Sequence, residues 1–420
     1  MHSGEMIVSR GPASYVRRRP KVLVLSKNYP NNVFDVLGLW VENLVRYSAR
    51  FCEPKVISPV PYCPPIPGMP EYYKRLRGIP HRCLTYDIDI FHPRMLVGPG
   101  SSLYSLESRT YYWAARRIAK QLRRDFPFDL IHAHFTYPDG VAAVRLGKQF
   151  GVPVIITEHV PWGPWTYHNA FVRRESMGAV ERCAIHIAVS GPVRESVARV
   201  VGASEKLRVI PVGVDGNIFN CSEGKGQPLP GQLLFVGAIR PVKGVDILLR
   251  AVRLLVDSGR NVTLVLVGES YFKSYQREYH RLRQLAQDLR LESRVNFAGK
   301  RRPPELVRSI QESAVLVLPS RAESFGMVLV EALACGTPVV ATRCGGPEDI
   351  VTEEVGTLVP PEDAQALAAG IAQVLDRRSD YDPAKLRAYA LERFGLESVG
   401  QRLQGLYAEA LSRRRGRAES

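Results

Sequence analysis

The sequence predicts an α/β protein made of two Rossmann-like domains, each a doubly wound parallel sheet. Three observations predict this. The length, 420 residues, implies two or three domains at roughly 100–200 residues apiece. Short apolar runs alternate with helical periodicity along the chain, and strands separated by single helices assemble into parallel sheets. The composition, 45% hydrophobic, 23% charged and 9% aromatic, is globular and excludes wholesale disorder, collagen-like repetition and coiled coil.

Strands are expected at Lys21–Ser26, Lys55–Ser58, Asp129–His134, Pro153–Thr157, Ile185–Val189 and Leu207–Pro211. A polar, glycine-rich gap follows at Cys221–Gly231. A second series then occupies Gln232–Val236, Val262–Val267, Arg294–Phe297, Ala314–Leu318, Pro338–Ala341 and Thr357–Val359. Helices are expected between them, for example Leu103–Arg124, Val245–Val256 and Tyr275–Leu289. The gap divides the chain into domains at 21–222 and 223–385. Residues 1–20 read as a flexible basic tail, and residues 386–420 as a helical segment with apolar residues at Leu391, Phe394, Leu403, Leu406 and Tyr407. No apolar run approaches the ~18 residues of a membrane-spanning helix. The basic N-terminus lacks the apolar core of a secretory signal, so a cytoplasmic protein is expected.

The seven cysteines are scattered and contain no C-x-x-C, which favours buried thiols over disulfides or zinc. Charge is more informative. The net charge is +16, and residues 1–200 hold 27 Lys and Arg against 15 Asp and Glu, an excess of +12. A basic half points to polyanions, an anionic membrane face or phosphorylated substrates.

In such sheets, ligands bind at the carboxyl ends of strands, where loops meet helix N-termini. Three such points in the second half carry chemistry. The first is Gly237-Ala-Ile-Arg240-Pro-Val-Lys243-Gly244 before a helix. Backbone N–H groups and two cations there would form a receptor for a diphosphate, a solvated turn with two surface cations being the plainer alternative; the segment fits neither the Walker nor the dinucleotide pattern. The second is Arg321-Ala-Glu323-Ser-Phe325-Gly326-Met327, leading into a short helix that ends before Gly336 and Pro338. Glu331 is the only charged residue of that helix. A buried carboxylate needs a hydrogen-bonding partner, and the two hydroxyls of a ribose cis-diol would supply one; an internal salt bridge is the plainer alternative. Glu323, in the loop before the helix, is placed to hold sugar hydroxyls. At the third point, Gly345 and Gly346 allow close backbone approach to a phosphate or sugar.

In the first half, His132 and His134 lie two apart on a strand and share one face. Packing, cleft lining and metal ligation are all readings of that pair. His159 ends the next strand at its carboxyl edge. The segment Pro59–Arg82, with seven prolines and three tyrosines, reads as an acceptor-gripping or membrane-touching loop or as a surface excursion. The helix at Leu103–Arg124 carries Tyr111, Tyr112 and Trp113 among Arg116, Arg117, Lys120, Arg123 and Arg124.

Together, Glu323 and Glu331 eight apart, the Gly237–Gly244 segment upstream and the Gly345-Gly346 turn downstream resemble the retaining glycosyltransferases of family 4. The resemblance extends to Val209-Ile-Pro-Val-Gly213-Val-Asp215, with Val212 in place of the usual Asn, and to Ala188-Val-Ser190 and Asn296-Phe-Ala-Gly299. It implies the GT-B fold, with two domains facing across a cleft and a C-terminal segment crossing back to the first. It also implies that Arg240, Lys243 and Gly237 bind the diphosphate of a UDP- or GDP-sugar and Glu331 its ribose. Glu323, with the Phe325, Gly326 and Met327 backbone and Gly345 and Gly346, would hold the donor sugar. Gly299 and Lys300 would meet the base, and His159 would lie in the cleft beside the sugar. Asp349 stands where the family more often has Glu. Gly38 is the single glycine of a loop where many members have two.

No D-x-D motif lies at these points, and Arg and Lys at a helix start offset diphosphate charge without metal. Neither metal nor other cofactor is therefore expected. The resemblance implies front-face transfer to a glycan or lipid-linked acceptor in cell-envelope or exopolysaccharide synthesis. Peripheral contact with an anionic membrane is expected from the basic half, and nucleic acid is not expected as a partner. The alternative is a polyanion- or nucleic-acid-binding Rossmann scaffold without transferase activity, which has no use for a buried Glu331.

Overall fold

The computed structural model describes residues 18–34, 37–64, 71–98, 104–163, 169–221, 228–269 and 273–418. The basic N-terminal tail and the centre of the glycine-rich gap lie largely outside them. In chain order the first half contains β1 (Lys21–Leu25), α1 (Leu39–Ser48), β2 (Glu53–Ile57), β3 (Val60–Tyr62), α2 (Glu71–Leu76), β4 (Arg82–Thr85), β5 (Ile88–Phe91) and β6 (Arg94–Leu96). It continues through α3 (Glu107–Asp125), β7 (Leu130–His134), α4 (Val141–Phe150), β8 (Val154–Glu158), α5 (Ala170–Arg182), β9 (Ile185–Ala188), α6 (Gly191–Val201) and β10 (Leu207–Val209). The second half contains β11 (Leu229–Val236), α7 (Val245–Asp257), β12 (Thr263–Val267), α8 (Lys273–Asp288), β13 (Val295–Gly299), α9 (Pro303–Gln311) and β14 (Ser313–Leu318). Then come α10 (Met327–Ala334), β15 (Val339–Thr342), β16 (Gly356–Val359), α11 (Ala364–Asp376), α12 (Pro383–Phe394) and α13 (Leu396–Ala418).

The strands form an eight-stranded sheet, β10-β9-β8-β7-β1-β2-β5-β4, and a six-stranded sheet, β13-β12-β11-β14-β15-β16. All pairings are parallel except β4 with β5. That hairpin turns on Tyr86 and Asp87, both at positive φ, as a two-residue turn matched to strand twist requires. Strands covered by helices on both faces read as unbroken apolar runs, and β14 (SAVLVL) and β15 (VVAT) are buried throughout. Each sheet has its own apolar core.

Two departures from the sequence reading matter for the site. The proline-rich stretch after β2 begins with β3, which pairs with β6 in a two-stranded ribbon, and the β4–β5 hairpin lies between those two strands, where no strand is predicted. The C-terminal periodicity, which reads as one helix, is broken at Gly395. The helix before the break packs on α10 and the helix after it on α1. Val399, Leu403 and Tyr407 of α13 thereby enter the core of the first sheet beside Val22, Val24 and Val41. At the break the two strands of chain that pass between the halves bond to one another: Val214 N–H donates to the Phe394 carbonyl at 2.8 Å, and Leu396 N–H to the Val214 carbonyl at 3.0 Å.

The carboxyl edges of the sheets meet. The Ser190 hydroxyl, beyond β9, donates to the Ser324 carbonyl, beyond β14, at 2.7 Å. The Gly191 amide at the start of α6 donates to the Asp349 carboxylate, so Asp349 caps a helix of the opposite half.

Candidate active site

On the second half, three neighbouring strands end in glycine: Gly237 after β11, Gly268 after β12 and Gly299 closing β13. The Gly237 amide donates to Val267 at 3.0 Å and the Gly268 amide to Gly299 at 2.9 Å. A Cβ on Gly268, at φ 145°, would fall 1.8 Å from the Gly237 carbonyl oxygen, so this ledge has to be bare of side chains there. Lys300 follows Gly299, and its amide reaches the Glu269 carboxylate at 3.4 Å.

After Gly237 the chain runs extended through the exposed Arg240 into a tight turn, Pro241–Lys243. Gly244 closes it at φ 65°, with Pro319 backbone where a side chain would be. Helix α7 starts here without a side-chain cap, leaving its positive end available. Lys243 Nζ meets Glu323 Oε2 at 2.5 Å, both side chains being mostly buried, and the Ser320 hydroxyl donates to the same oxygen at 3.3 Å.

The loop carrying Glu323 and the Gly345-Gly346 turn form one backbone unit. The Glu323 amide donates to the Cys344 carbonyl at 3.2 Å, and the Gly346 amide to the Glu323 carbonyl at 2.8 Å. A Cβ on Gly346 would lie 2.2 Å from Phe325 Cα. The Phe325 ring turns into the core, so this residue offers only backbone to a ligand. Gly326, at φ 103°, begins α10, and Met327 is half-buried at its first position.

Glu331 sits one turn further along α10, half-buried rather than fully enclosed. Burial pushes its carboxyl up to about pKa 7. Among the described residues none forms an ion pair or hydrogen bond with that carboxylate, so the internal salt bridge weighed from the sequence is not formed.

Arg321, which the sequence reading passed over, ties these parts together. Its guanidinium grips Asp246 of α7 with two bonds of 3.0 Å, and it also bonds the Pro241 carbonyl and the Glu362 carboxylate. Its amide donates to the Val242 carbonyl at 2.8 Å. One side chain thus fixes the turn bearing Lys243 to the loop bearing Glu323. The pairing holds the Asp246 carboxyl below its ordinary range.

Across the cleft, His132 is saturated, bonding Tyr407 of α13 and Thr157 of β8 at 2.8 Å each. It is a structural link, as the packing reading has it. His134 Nδ1 lies 3.1 Å from His159 Nε2 with the rings stacked, and Trp40 and Phe135 flank His159. Burial drives His132 and His159 down to about pKa 3 and holds His134 well below its ordinary value, so these imidazoles are neutral near pH 7. Glu158 fixes the segment. It accepts the backbone N–H groups of Thr136, His159 and Val160 at 3.2, 2.9 and 3.2 Å and the Trp162 indole at 3.0 Å. Gly38, at φ 80°, packs on the Asn28 carbonyl, 2.1 Å from where a Cβ would be, which explains the single glycine retained in that loop. Among the described residues, no three His, Cys, Asp or Glu side chains gather as a metal site.

Chemically, the second half presents cations, free amides and two carboxylates along a glycine-floored sheet edge. The first half closes over them with neutral histidine. Comparison with known proteins accords with this. Residues 227–393 match the family described as Glycosyl transferases group 1, and residues 38–217 match Glycosyltransferase Family 4. The D-inositol 3-phosphate glycosyltransferase of Acidothermus cellulolyticus is 31% identical over 328 residues, covering 72% of each chain. The chain belongs to the retaining family 4 glycosyltransferases.

This glycosyltransferase also resembles the putative teichuronic acid biosynthesis glycosyltransferase TuaC of Bacillus subtilis, 27% identical over 84% of this chain and 88% of that one. In fold it matches Anabaena HepE solved with UDP, at a TM-score of 0.71 and 20% identity over 92% of this chain and 99% of that one. Sucrose-phosphate synthase from Thermosynechococcus elongatus matches at 0.73 and 22%, over 94% and 100%. The architecture is GT-B, and the enzyme uses nucleotide sugars. The reading as a polyanion-binding scaffold without transferase activity gives way to this membership.

Proposed function

We propose that this glycosyltransferase moves a hexosyl unit, with retention, from a UDP- or GDP-sugar to a hydroxyl of a glycan or lipid-linked acceptor in cell-envelope or exopolysaccharide synthesis. The observation that carries the donor assignment is the mostly buried Lys243–Glu323 pair on the same sheet edge as an unpartnered Glu331. A diphosphate would draw Lys243 and Arg240, leaving Glu323 to accept sugar hydroxyls over the Phe325–Met327 and Gly345–Gly346 backbone. The ribose diol would satisfy Glu331, and the base would lie near Gly299 and Lys300.

Catalysis then consists of stabilising the departing diphosphate and placing the acceptor. The bond from the anomeric carbon to the phosphate oxygen breaks, the acceptor hydroxyl attacks from the same face, and its proton passes to the leaving oxygen. His159, neutral, hydrogen-bonds the sugar rather than carrying charge. Two cations at the phosphates support transfer without a divalent metal. The acceptor class draws on the resemblance to a teichuronic acid enzyme and on the basic first half. No helix among the described residues is long and apolar enough to cross a membrane. The proposed membrane contact is peripheral, at the cytoplasmic face, and draws on the basic first half.

Thermal shift against a panel of nucleotide sugars, followed by transfer of the best donor to lipid-extracted acceptors, tests this. One nucleotide sugar should raise the unfolding temperature and label the lipid fraction. Stabilisation by none of the panel would overturn the donor assignment.

A further inference from the structure

Helix α3 covers the first sheet with Ser108, Tyr111, Ala115 and Ala119 buried. Its outer face is a stripe at helical spacing: Arg109, Trp113, Arg117, Lys120 and Arg124, all exposed. No acidic residue occurs between Glu107 and Asp125, and Glu107 is turned inward to Lys27 at 2.6 Å. Trp113, in the midst of the cations, is 62% exposed, with the Arg116 guanidinium 5.3 Å from its ring. Strand β6 flanks α3 and adds Leu96, 49% exposed. Nothing in the proposed donor site uses this surface.

We infer that the outer face of α3, with Trp113 at its centre and Leu96 beside it, is a docking surface for an anionic lipid leaflet. A row of cations without intervening acids is complementary to anionic headgroups. An exposed indole and leucine beside it suit the interfacial layer, where amphipathic rings and aliphatic tips leave water. The geometry favours a bilayer over nucleic acid. α3 lies flush between α4 and the β3–β6 ribbon, presenting a broad face rather than a projecting helix that could enter a groove.

The stripe also has direction. Its N-terminal end reaches the cleft: Glu107 bonds Lys27 just beyond β1, and the Tyr104 ring packs at a tilt against Tyr137 beyond β7, 5.1 Å between centroids. Near that end Arg109 and Arg174 of α5 both approach the Phe171 ring, at 5.4 and 5.7 Å. Docking along α3 would therefore hold the mouth of the cleft against the leaflet from which a lipid-carried acceptor emerges. In purpose this rests on the proposed acceptor class, but binding is measured without turnover and fails or succeeds separately from it.

The test is flotation of the full chain with phosphatidylcholine vesicles, with and without phosphatidylglycerol. Binding should require the anionic lipid and be reversed by high salt. Arg117→Glu with Lys120→Glu should weaken it more than tenfold, while the unfolding temperature and the response to nucleotide sugar stay unchanged. Trp emission should shift to the blue on vesicles, and the shift should shrink in Trp113→Phe. Equal flotation with and without anionic lipid, or full binding by the charge-reversed variant, would overturn the inference. So would capture on DNA, reversed by the same substitutions, without flotation; that result would assign the stripe to nucleic acid.

Discussion

Arg321→Ala removes the clamp between the diphosphate turn and the sugar loop. Hydrogen bonds to charged groups contribute ~1.5–3 kcal/mol each. The Glu362 arm is discounted heavily because that carboxylate is 55% exposed. The Asp246 arm, whose carboxylate side chain is 15% exposed, keeps most of its value, so the clamp is worth about 2–3 kcal/mol. Some of this will appear as lost stability. The rest should appear as misplacement, because the guanidinium's bond to the Pro241 carbonyl helps to set Lys243 against Glu323, whereas the backbone bond from residue 321 to the Val242 carbonyl survives the substitution. An error near 1 Å in such positioning costs roughly a hundredfold in rate. Steady-state kinetics should show kcat/KM for the donor falling about 10- to 100-fold while the KM for acceptor stays put. Arg321→Lys should rescue little, since an ammonium cannot grip Asp246 with two parallel bonds. Asp246→Asn should reproduce the defect, and the double variant should add little to either single one. A variant that melts earlier but turns over within twofold of the parent would refute the positioning argument.

Other consequences follow from the titrating groups and the donor site. Glu331 is raised from 4.5 to about 7 in the free protein, and ribose hydroxyls bind its charged form. Affinity for a nucleotide sugar should therefore rise with pH through about 7 and level off above it; Glu331→Gln should bind weakly and without that rise, as calorimetry across pH would show. Since His159 is held near 3, the kcat profile should have no inflection near 6.5, and His159→Ala should lower kcat without reshaping the profile. Because His132, His159 and His186 all lie near 3 against an ordinary 6.5, the unfolded chain binds protons first as pH falls. Their contribution to stability is present above 6.5 and lost progressively towards 3, which denaturant midpoints at pH 7 and pH 5 will register against the opposing raised acids. Turnover should persist in EDTA; activity that vanishes there and returns with Mn²⁺ would show that a cation assists the diphosphate.

Much of this molecule can be read from its sequence because parallel sheets bury strands on both faces, so β14 and β15 appear as nearly unbroken apolar runs, while β7 and β8 show histidine and glutamate set among apolar residues. The β3–β6 ribbon was not legible: its strands are three residues long and lie among prolines, which normally argue against strands. Gly395, which divides the C-terminal helices, interrupts a periodicity that continues on both sides of it. At the site, Arg240, Lys243, Glu323, Glu331 and His159 stood out because charge or histidine beside apolar strand ends is informative by itself. What could not be read was pairing. Lys243 and Glu323 are 80 residues apart, Arg321 and Asp246 are 75 apart, and only tertiary folding brings them together. Gly268 carried a local signal, a glycine directly after a strand, but its reason is the neighbouring Gly237 backbone. Glu158 gave no signal of its own: three of its donors lie within four residues of it, but the fourth, the Thr136 amide, is 22 residues away and is brought in only by the pairing of β7 with β8.

The central claim, that the second half binds a nucleoside diphosphate through the turn at Lys243, is tested most directly by calorimetric titration of the full chain and of Lys243→Ala with UDP and with GDP. The parent should bind at least one of them, and the variant should lose ~1.5–3 kcal/mol of that affinity, the worth of a charge-assisted hydrogen bond. Unchanged affinity for both nucleotides would contradict it.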